Sequence, residues 1–322
     1  MNCRICDGPL SPVHFLVEEQ MFRTGSKFPY LQCCACGCVQ IEQYPAEPGQ
    51  YYPDHYYSFG QWANPQSLKE RAKRLRNRWI WFRRNPAGLV LNALLPNRFL
   101  STLRRLKGVN KAMSVLDIGC GYGEQLLALR DLGFVNLTGI DPYNQDDIRY
   151  DDNLIIYRKH YKAMDGRFDL IMMHHVLEHM PDQGGFFQWV SSHLSDSGYL
   201  IIRLPMADSL AFEKYGVHWV QWDAPRHWYL HTRRSLEHLA TQHGLKIEDI
   251  RHDANGMQFW GSELYRRGIP LFDDLGKPTP LLKHFSPFRL LWYNRYAHYL
   301  NHRGRSDQAI VVFSRQQNNP AS

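Results

Sequence analysis

The chain has 322 residues, 44% of them apolar, 21% charged and 13% aromatic, with a formal charge of +7. That is the make-up of a globular protein with one large domain or two ordinary ones. No apolar run approaches the roughly 20 residues a membrane span needs, since the longest, GLVLNALLP at Gly88–Pro96, is short and ends in proline. The start, MNCRICDGPL, has no cationic stretch leading into an apolar core, so it does not read as a signal peptide. A cytoplasmic location is expected, at most peripheral at the inner face of a membrane.

The first element is built on sulfur. Six of the seven cysteines fall within the first 38 residues, and Cys3/Cys6 and Cys33/Cys36 are both spaced C-x2-C. In a reducing compartment such pairs more often hold metal than form disulfides. Two C-x2-C turns separated by an insert are the pattern of a four-cysteine zinc ribbon, because each turn lets two thiolates converge on one tetrahedral ion. The expected ligands are Cys3, Cys6, Cys33 and Cys36. Four protein sulfurs leave no open position, so this zinc would be structural. Gly8 and Gly37 stand where such turns need a permissive backbone. Cys34 and Cys38 are spare, and Cys34 could compete as a ligand. A set of small buried residues is the plainer alternative. Residues 1–45 are thus expected to form a zinc-ribbon-like module.

Residues 46–110 read as a connector and a basic helical segment. The connector is rich in Tyr and Pro (YPAEPGQYYPDHYYSFG), and Lys69–Arg84 carries eight Lys or Arg against one Glu, the whole of the net charge. The plain reading is a solvated helix face. The sharper one is a contact for an anionic partner, whether a phosphate-bearing acceptor, an anionic membrane surface or RNA.

The next element, SVLDIG, is an apolar run bounded by glycine, as in a buried parallel strand. Gly119, Gly121 and Gly123 follow, then the helical pattern EQLLALRDLG and a strand, NLTGID, ending in Asp141. A carboxylate 20 residues after Gly121 is the ribose-binding arrangement of Rossmann-like folds. A dinucleotide site would place a third glycine where this chain has Glu124, and Asp117, just before the loop, suits a cofactor bearing an ammonium better than a pyrophosphate.

On these residues the chain resembles the class I S-adenosylmethionine-dependent methyltransferases, whose DxGxGxG motif is present as Asp117, Gly119, Gly121 and Gly123. The resemblance implies an α/β Rossmann-like sheet with helices on both faces, preceded here by the small zinc-ribbon module. It implies that the glycines let the backbone approach S-adenosylmethionine and that Asp141 binds its ribose hydroxyls. FDLIMMHHVLEHMPD, Phe168–Asp182, looks like the family's fourth strand and the loop beside the methionine end of the cofactor, which places His174 among the cofactor-binding residues. GYLIIRLP would be the fifth strand after a glycine turn. Residues 223–250 would be a substrate-side loop, a helix from near Thr232 and the sixth strand, and SDQAIVVFSRQ the last strand. The core is thus expected over 111–255, a helical insertion over 256–305, and the last strand and tail over 306–322. The family's adenine-binding acid has no counterpart after the third strand (LIIYRKHYKAMDGRFD), so that contact is unassigned.

A hydroxyl acceptor needs a general base, and histidine titrates near neutrality. Of 16 histidines two stand out by position: His179 in LEHMPD and His227 in DAPRHWYLHT, with His231 and Glu178 behind them. A cysteine-pair module before such a domain resembles bacterial enzymes that methylate sugars, so the expected acceptor is a small molecule, a nucleotide-sugar or a glycan precursor. An RNA methyltransferase is the alternative, with zinc module and basic helix as its binding surface. Against it, the chain has neither the N/D-P-P-Y/F tetrapeptide of base methylation nor a catalytic cysteine pair. A non-catalytic interaction protein is the third reading.

Overall fold

A computed structural model describes residues 1–52, 67–273 and 276–316. Most of the YYPDHYY run lies outside the described residues. Strands β1 (Leu10–Glu18), β2 (Lys27–Cys33) and β3 (Val39–Ile41) come first. Helix α1 (Leu68–Phe82) covers most of the basic stretch. It starts on Ser67, whose side chain accepts from the Glu70 amide, and stops where Arg83 turns left-handed. Two short helices that the sequence did not announce follow, α2 (Pro86–Leu94) and α3 (Arg98–Leu103). Then come β4 (Ser114–Ile118), α4 (Glu124–Asp131), β5 (Asn136–Ile140), β6 (Ile148–Asp151), β7 (Leu154–Tyr157) and β8 (Phe168–His174). Beyond them lie α5 (Gln183–His193), β9 (Leu194–Pro205), α6 (Leu210–Tyr215), β10 (Tyr229–Leu230), α7 (Arg233–Gln242) and β11 (Leu245–His252). Helices α8 (Met257–Arg266) and α9 (Pro287–Arg303) and strand β12 (Gln308–Arg315) complete the chain.

The described residues divide into two compact units. One takes 67–174 and 189–201 and carries the order β9–β8–β4–β5–β7–β6. Its pairs β4–β8, β4–β5 and β5–β7 are parallel, and β6 runs antiparallel to β7. Strand β4 is buried from Val115 to Ile118, as a parallel strand covered on both faces must be. Gly198 was expected in a turn before the fifth strand. It lies inside β9 instead, where a Cβ would stand 3.1 Å from the Phe168 and Asp169 carbonyls, so the residue serves close backbone approach.

The other unit takes 1–52, 175–188 and 202–316. It holds the order β11–β12–β9 and a second, four-stranded sheet, β1–β2–β3–β10. The expected independent module at 1–45 is therefore not closed on itself. Strand β10, from the segment read as a substrate-side loop, pairs Tyr229 with Gln40 and Leu230 with Val39. The physical reason is a shared core: Val17, Tyr30, Val39 and Ile41 bury with Trp219, Trp222, Leu230, Phe259, Tyr293 and Leu300. The region expected as a helical insertion supplies part of that core through α8 and α9. No described helix is long and apolar enough to cross a membrane.

Candidate active site

The glycine loop fits a ligand by its backbone. Gly119, Gly121 and Gly123 all take positive φ (69°, 52° and 78°), which side-chain-bearing residues rarely adopt. A Cβ at Gly123 would also meet Ile156 Cδ1 at 2.7 Å, whereas one at Gly121 would project into open space that a ligand can use. Asp141 closes the loop: its two oxygens accept from the amides of Gly121 and Tyr143, each at 2.9 Å. Asp117 is buried beneath, and burial, followed by the charge of Asp141, pushes its carboxyl well above the usual range. A bound ammonium would reverse that penalty. In register, Ile118 of β4 lies beside Met173 of β8, so His174 leaves its strand level with the start of the loop. Its ring meets Phe99 edge-on, with centroids 4.9 Å apart.

A second cluster lies in the other unit. The chain leaves β8 through His175, held left-handed at φ 56°, into a short turn over Leu177–His179. Another tight turn, with Asp223 at φ 38°, brings in Asp223, Arg226 and His227. The rings of His179 and His227 lie 4.8 Å apart. His179 Nδ1 is 2.8 Å from the Arg226 carbonyl, and His227 Nδ1 is 2.8 Å from the Gln221 carbonyl. A carbonyl can only accept, so each Nδ1 carries the proton and each Nε2 of a neutral ring keeps a lone pair. His227 Nε2 lies 3.8 Å from Asp223 Oδ2 and 4.0 Å from Glu178 Oε1.

The carboxylates there have little solvent. Glu178 is fully buried, with His175 Nδ1 3.3 Å from its Oε1. Burial alone would raise its pKa, but the approach of His175 and the charges of His175, His179 and His227 act the other way and hold it at about 2. Desolvation, then the charge of His227, lowers His179 to about 4. Buried Arg226 donates to Asp223 Oδ1 from Nε at 2.8 Å, to Glu19 Oε1 from Nη2 at 2.8 Å and to the Tyr51 carbonyl at 3.0 Å. Two buried carboxylates, Glu19 and Asp223, thus share one buried guanidinium.

The cysteine pairs also converge. One sulfur from each of Cys3, Cys6, Cys33 and Cys36 lies within 4.8 Å of the others, with Cys3–Cys36 at 3.8 Å and Cys6–Cys33 at 3.5 Å. The amides of Ile5, Ala35 and Cys36 point at Cys3 or Cys33 sulfur at 3.3–3.4 Å, which favours thiolates. Cys34 is exposed, and Cys38 is buried outside the set. Gly37 is left-handed as expected, but Gly8 is not: Asp7 takes that conformation (φ 56°). Gly8 is needed for space, since its Cβ would meet Ala35 Cβ at 2.7 Å.

Residues 91–250, which carry the glycine loop, match the family model of a methyltransferase domain. The chain carries a class I S-adenosylmethionine-dependent methyltransferase domain and is an enzyme. No curated protein matches it in sequence. Among solved structures it is similar to the cyclopropane synthase MmaA2 from Mycobacterium tuberculosis, with 16% identity over 85% of this chain and 100% of that one (TM-score 0.46). It is also similar to an S-adenosylmethionine-dependent methyltransferase from Mesorhizobium loti, with 14% identity over 68% and 98% of the two chains (TM-score 0.44). Likenesses of this degree say nothing about the acceptor.

Position in sequence pointed to His179 and His227, and the fold brings them together. It does not place His231 with them. That ring is wholly buried, its Nδ1 3.0 Å from Ser235 Oγ at the start of α7. Glu178 outranks its place in the sequence reading, while Asp223, Arg226 and Glu19 were not singled out at all. The signal for Asp223 and Arg226 was thin, an acid and a cation just ahead of His227 in DAPRH, and Glu19 carried none.

Two outcomes are expected of the methyltransferase domain and its neighbour. Asp141→Ala removes the acceptor of two loop amides, charge-assisted bonds worth about 1.5–3 kcal/mol, so affinity for S-adenosylhomocysteine should fall at least about 10-fold by calorimetry. Unchanged affinity would mean that Asp141 is not a cofactor residue. Arg226→Met strands Glu19 and Asp223 and should destabilise the fold by about 3–5 kcal/mol in urea unfolding. A loss below about 1 kcal/mol would show that water already compensates those carboxylates.

Proposed function

We propose that the enzyme transfers the methyl group of S-adenosylmethionine to a hydroxyl or carbon of a sugar, a nucleotide-linked sugar or a surface-glycan precursor. The observation that carries this reading is the convergence of His179 and His227 on buried carboxylates, with their Nε2 atoms available as proton acceptors. Asp117, Gly119, Gly121, Gly123, Asp141 and His174 would hold the cofactor. When bound, it supplies an electrophilic methyl on a sulfonium with a neutral leaving group, which makes placement of the acceptor the main task of the protein.

His227 Nε2 is the better-placed base, since Asp223 and Glu178 stand 3.8 and 4.0 Å away to stabilise the imidazolium formed when it takes the acceptor's proton. His179 lies beside it as a second acceptor of hydrogen bonds. The donor set at Cys3, Cys6, Cys33 and Cys36 fits a tetrahedral structural zinc, which would staple β2 to the N-terminal turn. The cations of α1 suit an anionic group, either the phosphate of a nucleotide-linked acceptor or an anionic membrane surface.

Two experiments test this. Labelled methyl from S-adenosylmethionine, supplied with fractionated extract of the source cell, should appear in nucleotide-sugar, glycan or glycolipid material. Label in nuclease-sensitive material would make the enzyme an RNA methyltransferase instead. Cys3→Ser and Cys36→Ser should each lose close to one equivalent of zinc and some solubility while keeping affinity for S-adenosylhomocysteine. A variant that retains its full zinc content contradicts the thiolate site.

A further inference from the structure

We propose that Glu178, His179 and His227 form a binding site for a divalent first-row transition-metal cation, separate from the four-cysteine cluster. One ligand atom from each of the three lies within 4.8 Å of the others. Both histidines have Nδ1 engaged by a main-chain carbonyl at 2.8 Å. That is how metal-binding imidazoles are usually held, with the opposite nitrogen turned to the ion.

The carboxylate has its own outer partner. Arg203 Nη1 donates to His175 Nε2 at 3.1 Å, so the proton of His175 sits on Nδ1, 3.3 Å from Glu178 Oε1. Arg203 is in turn fixed by Asp253, at 2.6 Å. His175 is therefore a positioning residue rather than a ligand.

The independent observation is the state of Glu178. It is fully buried, and its only close polar neighbours among the described residues are His175 Nδ1 at 3.3 Å and His227 Nε2 at 4.0 Å, both from Oε1. A bare buried carboxylate is costly, and buried charges are paired or coordinate metals. The nearby guanidinium of Arg226 is already committed to Asp223, Glu19 and the Tyr51 carbonyl. Two imidazoles and a carboxylate suit zinc, iron(II) or cobalt(II), and three protein ligands leave open positions for water or an acceptor oxygen. This deepens the acceptor-site reading: with the Nε2 lone pairs of His179 and His227 on the cation, the cation itself would acidify a bound hydroxyl in place of the histidine base. Cation binding itself does not require that reading.

The test is titration of the full-length protein, as purified and then dialysed against a weak chelator, with cobalt(II). A bound equivalent should show a d–d spectrum without the sulfur charge-transfer band that a thiolate site gives. Loss of an outer-shell partner typically costs about 10–100-fold in metal affinity, so His175→Gln should weaken binding by that amount and Glu178→Gln or His227→Gln by at least as much. Affinity for S-adenosylhomocysteine, measured in parallel, reports whether each variant is folded. Cys3→Ser should leave the sulfur-free spectrum in place. No sulfur-free cobalt spectrum, or one that folded Glu178→Gln and His227→Gln both retain, overturns the proposal. The readout needs no turnover, so its failure is separable from failure of methyl transfer.

Discussion

Arg226 is the interaction on which the second unit depends. Its guanidinium, wholly enclosed, ties Asp223 in its own turn to Glu19 after β1 and to the carbonyl of Tyr51. Glu19 is itself fixed by amides of Phe22 and Thr24. One side chain therefore joins segments about two hundred residues apart, where removal of either charge would leave the other uncompensated in a low dielectric. The Arg226 carbonyl then orients His179, and the next residue is His227. The placing of both rings therefore depends on how that guanidinium holds its turn.

The cysteine cluster answers to the same geometry. Thr232 caps α7 and donates its hydroxyl to the Cys36 carbonyl, while β10, three residues upstream of α7, extends the sheet that carries Cys33. The cysteine cluster and the histidine-bearing turn are thus parts of one structure, which shares the core of Trp219, Trp222 and Tyr30.

Much of the Rossmann-like part was legible because it is local. The DxGxGxG loop, Asp141 and the flanking strands are each fixed by short-range demands: a buried apolar run, positive φ at three glycines, a carboxylate at a strand end. The C-x2-C pairs were legible for the same reason. Strand β6 was missed because IRYD is only four residues long, too short for its alternation to stand out, and β10 because two residues carry no pattern of their own. The charged cluster was only half legible. Its histidines lie in recognisable positions, but Glu19, Asp223 and Arg226 become partners only when β1 and the turn after Trp222 pack on one core, a long-range fact that no spacing encodes. Glu178 read as a weaker candidate behind the two histidines, and only its complete burial sets it at the centre of the cluster.

The central claim is that the buried carboxylate of Glu178, with His179 and His227, holds a cation. The direct measurement is anomalous diffraction from crystals of the full chain, with data on both sides of the zinc and cobalt absorption edges. The account expects one peak among Cys3, Cys6, Cys33 and Cys36 and a second, chemically distinct peak between Glu178, His179 and His227. A single peak at the cysteines, with His227 Nε2 moved into hydrogen-bonding distance of Glu178 as an imidazolium, would contradict it.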